Sequence, residues 1–302
     1  MMNMKEFAAA LEKEVGARLG EEAVVKLNEV TKNNGVVLQG LSVGRLGRNV
    51  SATIYLDSFY EMYKQDVSLS EIARRIASCQ SQAPGTSVDM EFFSDFDRVK
   101  ERIAYRLVNA ERNKELLEKI PHIRFLDLAV CFYYAFSHET LGKGIITVYN
   151  NHVQLWHTSA KELLKLAGEN TPKLFSAQYR SLLDILGEMK DGGLCPQMQE
   201  DIHGMLQAPP MKVLSNHDRV QGAACILYPG LLQKICEKEG ANFYILPSSV
   251  HEVILLADHG GEEPGKLREM VREVNGELVE PEEVLSDSVY YYDREKKALR
   301  II

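Results

Sequence analysis

Hydrophobic residues recur along the chain at spacings that alternate between the helical and the extended period. Asn34-Gly35 lies between two apolar stretches, and this dipeptide is the strongest short hairpin signal because both turn residues take positive φ. We therefore predict strands at about 23–32 and 36–43. A first helix precedes them, since apolar residues recur there at intervals of four and so share one side. These residues are Phe7, Leu11, Val15 and Leu19.

Later segments repeat these local signals. Ser68 precedes Glu71, and Ser159 precedes Glu162, by the three positions of a capping box, so each serine predicts a helix start. The run at 125–136 is apolar and aromatic, which is typical of a strand buried on both faces. A second extended run follows it, so we expect another hairpin.

The stretch 211–261 has the clearest organisation, with an apolar run, an apolar helix and two apolar strands. Strands and helices do not alternate regularly along the chain. This order favours an α+β fold, with mixed or antiparallel sheets, hairpins and flanking helices, over a doubly wound parallel sheet. The composition changes after Pro121, so we predict two α+β subdomains, at 1–121 and 122–302. Residues 172–209 are predicted to form a helical and loop insertion in the second.

The composition is that of an ordinary globular protein, with 45% hydrophobic and 26% charged residues. A formal net charge of -8 argues against nucleic acid as a partner, because binding phosphates needs a basic face. Nucleic-acid handling would require a few scattered arginines to converge on one surface. They are Arg45, Arg48, Arg74 and Arg75.

Cysteine usage and hydropathy bear on location. The five cysteines are odd in number and form no Cys-x-x-Cys pair, which favours a reducing compartment without a disulfide framework or zinc cluster. No run approaches the roughly 20 apolar residues of a membrane span. We therefore predict a cytoplasmic protein with no membrane partner. No phosphate-binding glycine motif is present, so we expect no cofactor. His251-Glu252 could begin a His-Glu-x-x-His zinc-binding helix, but Leu255 stands where the second histidine should be, so we expect no metal.

Most groups able to do chemistry lie within the same 211–261 stretch. If residues 249–256 form a strand, Ser249 and His251 point to one face and Glu252 to the other. A serine beside a histidine base would suit nucleophilic catalysis, with Asp218 or Glu252 as the acid. That mechanism requires the Ser249 hydroxyl within hydrogen-bond reach of an imidazole. The chain lacks a Gly-x-Ser-x-Gly elbow, so a hydrolase or transferase is the alternative hypothesis.

A ligand-binding function is our main hypothesis. Asn216 or Asp218 is suited to cap a helix that begins near Val220. That helix start, with Ser248 in the turn before the last strand of this stretch, would form an anion pocket in which Arg219 is the charged arm. We therefore favour a non-enzymatic binding or regulatory protein that acts through a protein contact or a small anionic ligand.

Several short segments spread over most of the chain carry a family resemblance. The most specific are the LYPG segment at 227–230 and the LPSSVHEV segment at 246–253. The others lie at 31–36, 54–56, 127–130, 222–224 and 285–287. Together they resemble an uncharacterised bacterial domain-of-unknown-function family, and more distantly the YtpQ-like proteins. The resemblance implies no activity, cofactor or catalytic residue.

Overall fold

The computed structural model describes residues 1–81, 90–189, 211–247 and 249–302. The contacts divide the chain into two compact units. One comprises Met1–Phe92 with Ser137–Gly144, and the other comprises Phe93–Phe136 with Ile145–Ile302. Ser248 and the later part of the predicted insertion lie outside the described residues.

The first unit contains a three-stranded antiparallel sheet of order β1-β2-β3. At the predicted hairpin, Asn34 has φ 62° and Gly35 has φ 71°, so both turn residues are left-handed as expected. The hairpin prediction is confirmed. The elements are α1 (Met4–Leu19), β1 (Ala23–Thr31), β2 (Val37–Arg45), β3 (Ser51–Tyr55), α2 (Asp57–Lys64) and α3 (Leu69–Ser81).

The helices of this unit begin at local caps and bury one apolar side. Asn3 and Glu6 form a reciprocal capping box at the start of α1. The backbone N–H of Glu71 donates to Ser68 Oγ at 3.3 Å, as predicted. Three residues of the predicted stripe of α1 are buried and the fourth, Leu19, is partly buried, and the stripe packs with residues of the sheet and of α3. This core includes Phe7, Leu11, Val15, Leu41, Leu56, Ile72 and Ile76.

A four-stranded sheet in the chain after Phe93 has β6 at its centre. β6 pairs with β4, β5 and β7, and its first eight residues are all buried. This confirms a buried central strand, although Leu126 turns with φ 55° and separates β5 from β6 within the predicted run. The strands are β4 (Ile103–Asn109), β5 (His122–Phe125), β6 (Leu128–His138) and β7 (Gly142–Thr147).

A six-stranded antiparallel sheet completes the second unit, in the order β13-β12-β10-β11-β9-β8. Its strands are β8 (Ala177–Ser181), β9 (Met211–Asn216), β10 (Asn242–Leu246), β11 (Glu252–Asp258), β12 (Tyr290–Asp293) and β13 (Ala298–Ile301). The α-helices in the described part of the unit are α4 (Phe96–Val99), α5 (Lys114–Leu117), α6 (Asn150–Leu155), α7 (Ala160–Leu174), α8 (Leu182–Met189), α9 (Leu231–Glu239) and α10 (Pro264–Glu277). The α+β prediction with antiparallel sheets is confirmed.

Two predicted boundaries differ from the structure. Pro121 lies between strands of one sheet, because β4 before it pairs with β6 after it, so the division falls near Phe92 instead of at Pro121. The predicted insertion at 172–209 contains a sheet strand, since β8 pairs with β9 over five residues. Both errors arise because strand pairing between distant residues leaves no signal in local composition.

Among the described residues, no helix has both the length and the apolar character needed to cross a membrane.

We predict that the hairpin turn is sensitive to a side chain at Gly35. Gly35→Ala should lower the free energy of unfolding by about 1–2 kcal/mol, because alanine disfavours a left-handed backbone. Gly16→Ala is the matched control, since a Cβ there meets no atom within 4 Å and α1 gains about 0.5–1 kcal/mol. Urea denaturation of both variants measures the difference, and equal stabilities would contradict this turn geometry.

Candidate functional site

The loop after β9 fixes the position of Arg219. Asn216 is buried at the end of the strand, where its Nδ2 donates to Val220 O at 2.8 Å and its Oδ1 accepts from Val220 N at 3.3 Å. Arg219 and Gln221 on either side of Val220 are left-handed, with φ 53° and 55°. Positive φ angles are uncommon in residues other than glycine. Both polar groups of the Asn216 amide thus hold the loop and are not free to contact a ligand.

Gly222 allows this loop to pack against two neighbouring segments. A Cβ at Gly222 would lie 2.2 Å from Ser215 Oγ, 2.4 Å from His251 O and 2.7 Å from Asn216 N. The Ser215 hydroxyl also donates to His251 O at 2.7 Å. The 3₁₀ helix Gly222–Leu227 begins at this point. The absence of a side chain therefore lets the Arg219 loop reach the turn that carries His251.

Ser249 belongs to a turn that precedes β11. The strand begins at Glu252, so the predicted start at residue 249 is wrong, and alternation along a strand does not apply to Ser249 and His251. The buried Ser249 hydroxyl donates to Glu252 Oε1 at 2.9 Å and accepts from the His251 N–H at 3.0 Å. The serine thus stabilises its own turn and has a carboxylate, rather than an imidazole, as its acceptor.

Both ring nitrogens of His251 have partners. Nδ1 accepts from the Gln221 backbone N–H at 3.3 Å, and Nε2 lies 3.3 Å from Glu283 Oε1. A nitrogen that accepts cannot carry the proton, so in the neutral ring the proton is on Nε2, where it is donated to Glu283. The backbone joins the same segments, because the Val250 N–H donates to Glu283 O at 2.8 Å.

These side chains surround a cavity of about 290 Å³, which we call the Arg219 cavity. The structure brings together four residues singled out from the sequence, Arg219, Ser249, His251 and Glu252. Asn216 and Asp218 do not line it. The remaining lining residues come from a later segment that the sequence analysis did not connect to the site. They are Leu278, Val279 and Glu283.

Asp218 faces another part of the same unit. Burial raises the pKa of the Tyr133 hydroxyl, and the nearby charge of Asp218 raises it further. Ser248, predicted as an anion contact, lies outside the described residues.

A second cavity of about 600 Å³, which we call the Asn275 cavity, lies at the C-terminal end of α10. Leu278 and Val279 line both cavities. The Asn275 Nδ2 group donates at 2.9 Å to both Ser286 O and Asp287 Oδ1. The Oδ1 atom of Asn275 is shielded from solvent and has no hydrogen-bond partner among the described residues. A buried acceptor in this condition costs about 1–3 kcal/mol.

Comparison with known proteins gives the family. A model described as a family of unknown function (DUF5688) matches residues 4–294 of the chain. The chain belongs to this family. The prediction of an uncharacterised family is thereby confirmed. No curated protein and no solved structure matches the chain of this DUF5688 member.

Three other kinds of site have less support in the described part of this DUF5688 protein. It contains no group of three or more histidine, cysteine or acidic side chains arranged to hold a metal ion. Burial raises the pKa of Cys131 and Cys225 to about 12, so neither thiol forms a nucleophilic thiolate near neutral pH. Two of the four arginines that nucleic-acid handling would require, Arg74 and Arg75, bind Glu71 at 2.8 Å and hold its pKa at about 2. That carboxylate offsets part of their positive charge.

We predict that the close approach at Gly222 is essential for folding of the site. Gly222→Ala should lower the free energy of unfolding by about 3 kcal/mol or more, because two of the clashing atoms belong to the backbone and cannot rotate away. Gly168→Ala in α7 is the control, since a Cβ there meets nothing within 4 Å. Thermal and urea unfolding measure both, and a Gly222→Ala protein of native stability would exclude this packing.

Proposed function

We propose that this DUF5688 protein is a binding or regulatory module that holds a small anionic ligand in the Arg219 cavity. The observation that supports this best is the backbone of Arg219, which is left-handed at φ 53° and is fixed there by the amide of Asn216. A non-glycine residue in this conformation costs about 1–2 kcal/mol. Such strain is concentrated at functional sites, which favours a role for the side chain that the loop presents.

The pairing of the charged groups in the Arg219 cavity leaves its guanidinium available for an anion. Each of its carboxylates already has an internal donor, since Glu252 accepts from Ser249 and Glu283 faces the Nε2 atom of His251. Arg219 has no ion-pair partner within the described parts of the chain, although it lines the cavity. A guanidinium binds a carboxylate or a phosphate through paired N–H donors. Arg219 is therefore the group of this cavity that remains available for an anion.

The size of the cavity also favours a small ligand. Its volume of about 290 Å³ is at the lower end of the range for ligand pockets. The anion contact predicted for Ser248 stays a prediction. The cytoplasmic location, the bacterial origin, a protein partner and the distant relation to YtpQ-like proteins stay predictions.

A hydrolase or transferase that uses Ser249, His251, Glu252 or Asp218 is the alternative. It is favoured by one observation, that Ser249 and His251 both line the cavity. The hydrogen bonds give it less support, because the Ser249 hydroxyl donates to Glu252 and the His251 nitrogens bind Gln221 and Glu283. A serine nucleophile needs a base that accepts its proton. We therefore retain binding as the proposed function.

The first test is Arg219→Ala with inorganic phosphate as the probe anion. If phosphate binds with a millimolar Kd, 100 mM phosphate stabilises the native state by about 2.7 kcal/mol. We expect Arg219→Ala to lose this gain and to keep its melting temperature in sodium chloride of equal ionic strength. Differential scanning calorimetry of both proteins in both buffers is the measurement.

The matched control is Arg268→Ala, which removes an exposed arginine of α10 that does not line the cavity. It should retain the full phosphate response, because general salt effects act equally on both variants. Equal losses in the two variants, or a lower melting temperature of Arg219→Ala in chloride, would exclude the proposed role of Arg219.

A second test separates binding from catalysis at Ser249. Ser249→Ala leaves the Glu252 carboxylate and the His251 N–H without their hydroxyl partner, so the free energy of unfolding should fall by about 1–3 kcal/mol. The phosphate response should persist. Hydrolysis of p-nitrophenyl acetate by the native protein that is lost in Ser249→Ala would favour the catalytic alternative.

A further inference from the structure

The Arg219 cavity has an apolar part as well as a charged part. Leu278 and Val279 line it together with Arg219. Leu278 is 80% exposed, and apart from Met1 no large hydrophobic side chain among the described residues is more exposed. A ligand group that covered Leu278 would remove hydrocarbon from water, which is favourable. The cavity therefore offers an apolar contact close to the guanidinium.

Backbone hydrogen bonds hold the apolar residues beside the charged ones. The Leu278 N–H donates to Val274 O at 2.9 Å, directly after the end of α10. Further along, the Glu283 N–H donates to Glu280 O at 2.8 Å, and the Val250 N–H donates to Glu283 O at 2.8 Å. The segment 278–283 is thus attached at one end to the helix and at the other to the turn before β11. The fold itself brings the two parts of the cavity together.

The carboxylates of the cavity limit the charge of the anion. Glu252 and Glu283 line it, although each faces an internal hydrogen-bond donor. A ligand with two negative charges would be repelled by both carboxylates, whereas one guanidinium attracts it. A ligand with a single charge is repelled less and still accepts the paired N–H donors of Arg219. These charges favour a monocarboxylate over a doubly charged phosphate.

The volume limits the length of the ligand. At about 30 Å³ for each non-hydrogen atom, as for water in the liquid, about 290 Å³ holds on the order of ten such atoms. We propose that the anion bound in the Arg219 cavity is a small monocarboxylate with an unbranched or branched alkyl chain. Its carboxylate accepts from Arg219, and its chain covers Leu278 and Val279. This inference rests on the proposed function and names the class of its ligand.

The experiment uses the full chain and a series of carboxylates, acetate, butanoate and hexanoate, followed by isothermal titration calorimetry at constant ionic strength. Each added methylene should strengthen binding by up to about fourfold, depending on how fully the cavity covers it. We expect hexanoate to bind at least about tenfold more tightly than acetate.

Two analogues of hexanoate test the charge. 1-Hexanol keeps the chain and removes the charge, so it should bind about tenfold more weakly or less, because a charged hydrogen bond to Arg219 is lost. Adipate keeps the chain length and adds a second carboxylate at the apolar end. It should also bind about tenfold more weakly, since that carboxylate meets Leu278 and the two glutamates.

Substitutions of exposed side chains test both contacts without disturbing the core. Leu278→Ser should reduce the ratio of hexanoate to acetate affinity to about twofold, because the chain loses its apolar contact. Leu46→Ser is the matched control, since Leu46 is 67% exposed and does not line the cavity. It should keep the native ratio. Arg219→Ala should abolish binding of the whole series, whereas Arg268→Ala should retain it.

The outcomes separate this inference from the proposed function. An Arg219-dependent phosphate response without any dependence on chain length would overturn the alkyl carboxylate and leave the anion site standing. Absence of binding by phosphate and by every carboxylate would overturn both. Hexanoate binding that survives Arg219→Ala, or an unchanged affinity ratio in Leu278→Ser, would also exclude the proposed ligand class. Arg219-dependent binding of Gly-Gly-Leu about tenfold tighter than hexanoate would assign the cavity to peptide C-termini instead.

Discussion

The carboxylate of Asp127 fixes a segment on which both cavities depend. It accepts from the hydroxyl of Ser286 at 2.5 Å and from that of Tyr290 at 2.7 Å. Between α10 and β12 the chain has no helix or strand, so its position depends on such side-chain bonds. Asn109 adds one, because its Nδ2 donates to Leu285 O at 3.1 Å. This segment contributes a wall to the Arg219 cavity and to the Asn275 cavity, so the buried network determines the shape of each.

The two cavities differ in which groups the fold has already paired. In the Arg219 cavity the serine, the histidine and both glutamates bind one another or the backbone, and the guanidinium remains available. In the Asn275 cavity Arg112 is paired with Asp287. Among the described residues, Arg272 has no ion-pair partner and Asn275 Oδ1 has no hydrogen-bond partner. Pairing within the protein lowers the capacity of a group to bind a ligand or transfer a proton. For this reason we propose ligand binding, and not nucleophilic catalysis, at the Arg219 cavity.

Local signals in the sequence predicted much of the fold. The Asn34-Gly35 turn, the caps at Ser68 and Ser159 and the buried run that contains β6 all depend on residues close together in the chain. The site was partly predictable in the same way, because four lining residues of the Arg219 cavity lie within 211–261. Glu283 and the whole Asn275 cavity were missed. The Leu285-Ser286-Asp287 segment is the available signal, since it carries part of the family resemblance.

The sequence by itself determined the α+β class, the hairpins and the residue types available for chemistry, because turn conformation and side-chain alternation are local properties. Tertiary structure alone decided that Pro121 lies between strands of one sheet and that Ser249 binds Glu252. It also decided that Arg219 lines a cavity with Glu283. Each of these depends on backbone or side-chain hydrogen bonds and packing in the folded chain, which sequence spacing does not specify. The close approach at Gly222 is the clearest example, because only folding brings atoms of Ser215, Asn216 and His251 to the position that a Cβ of residue 222 would occupy.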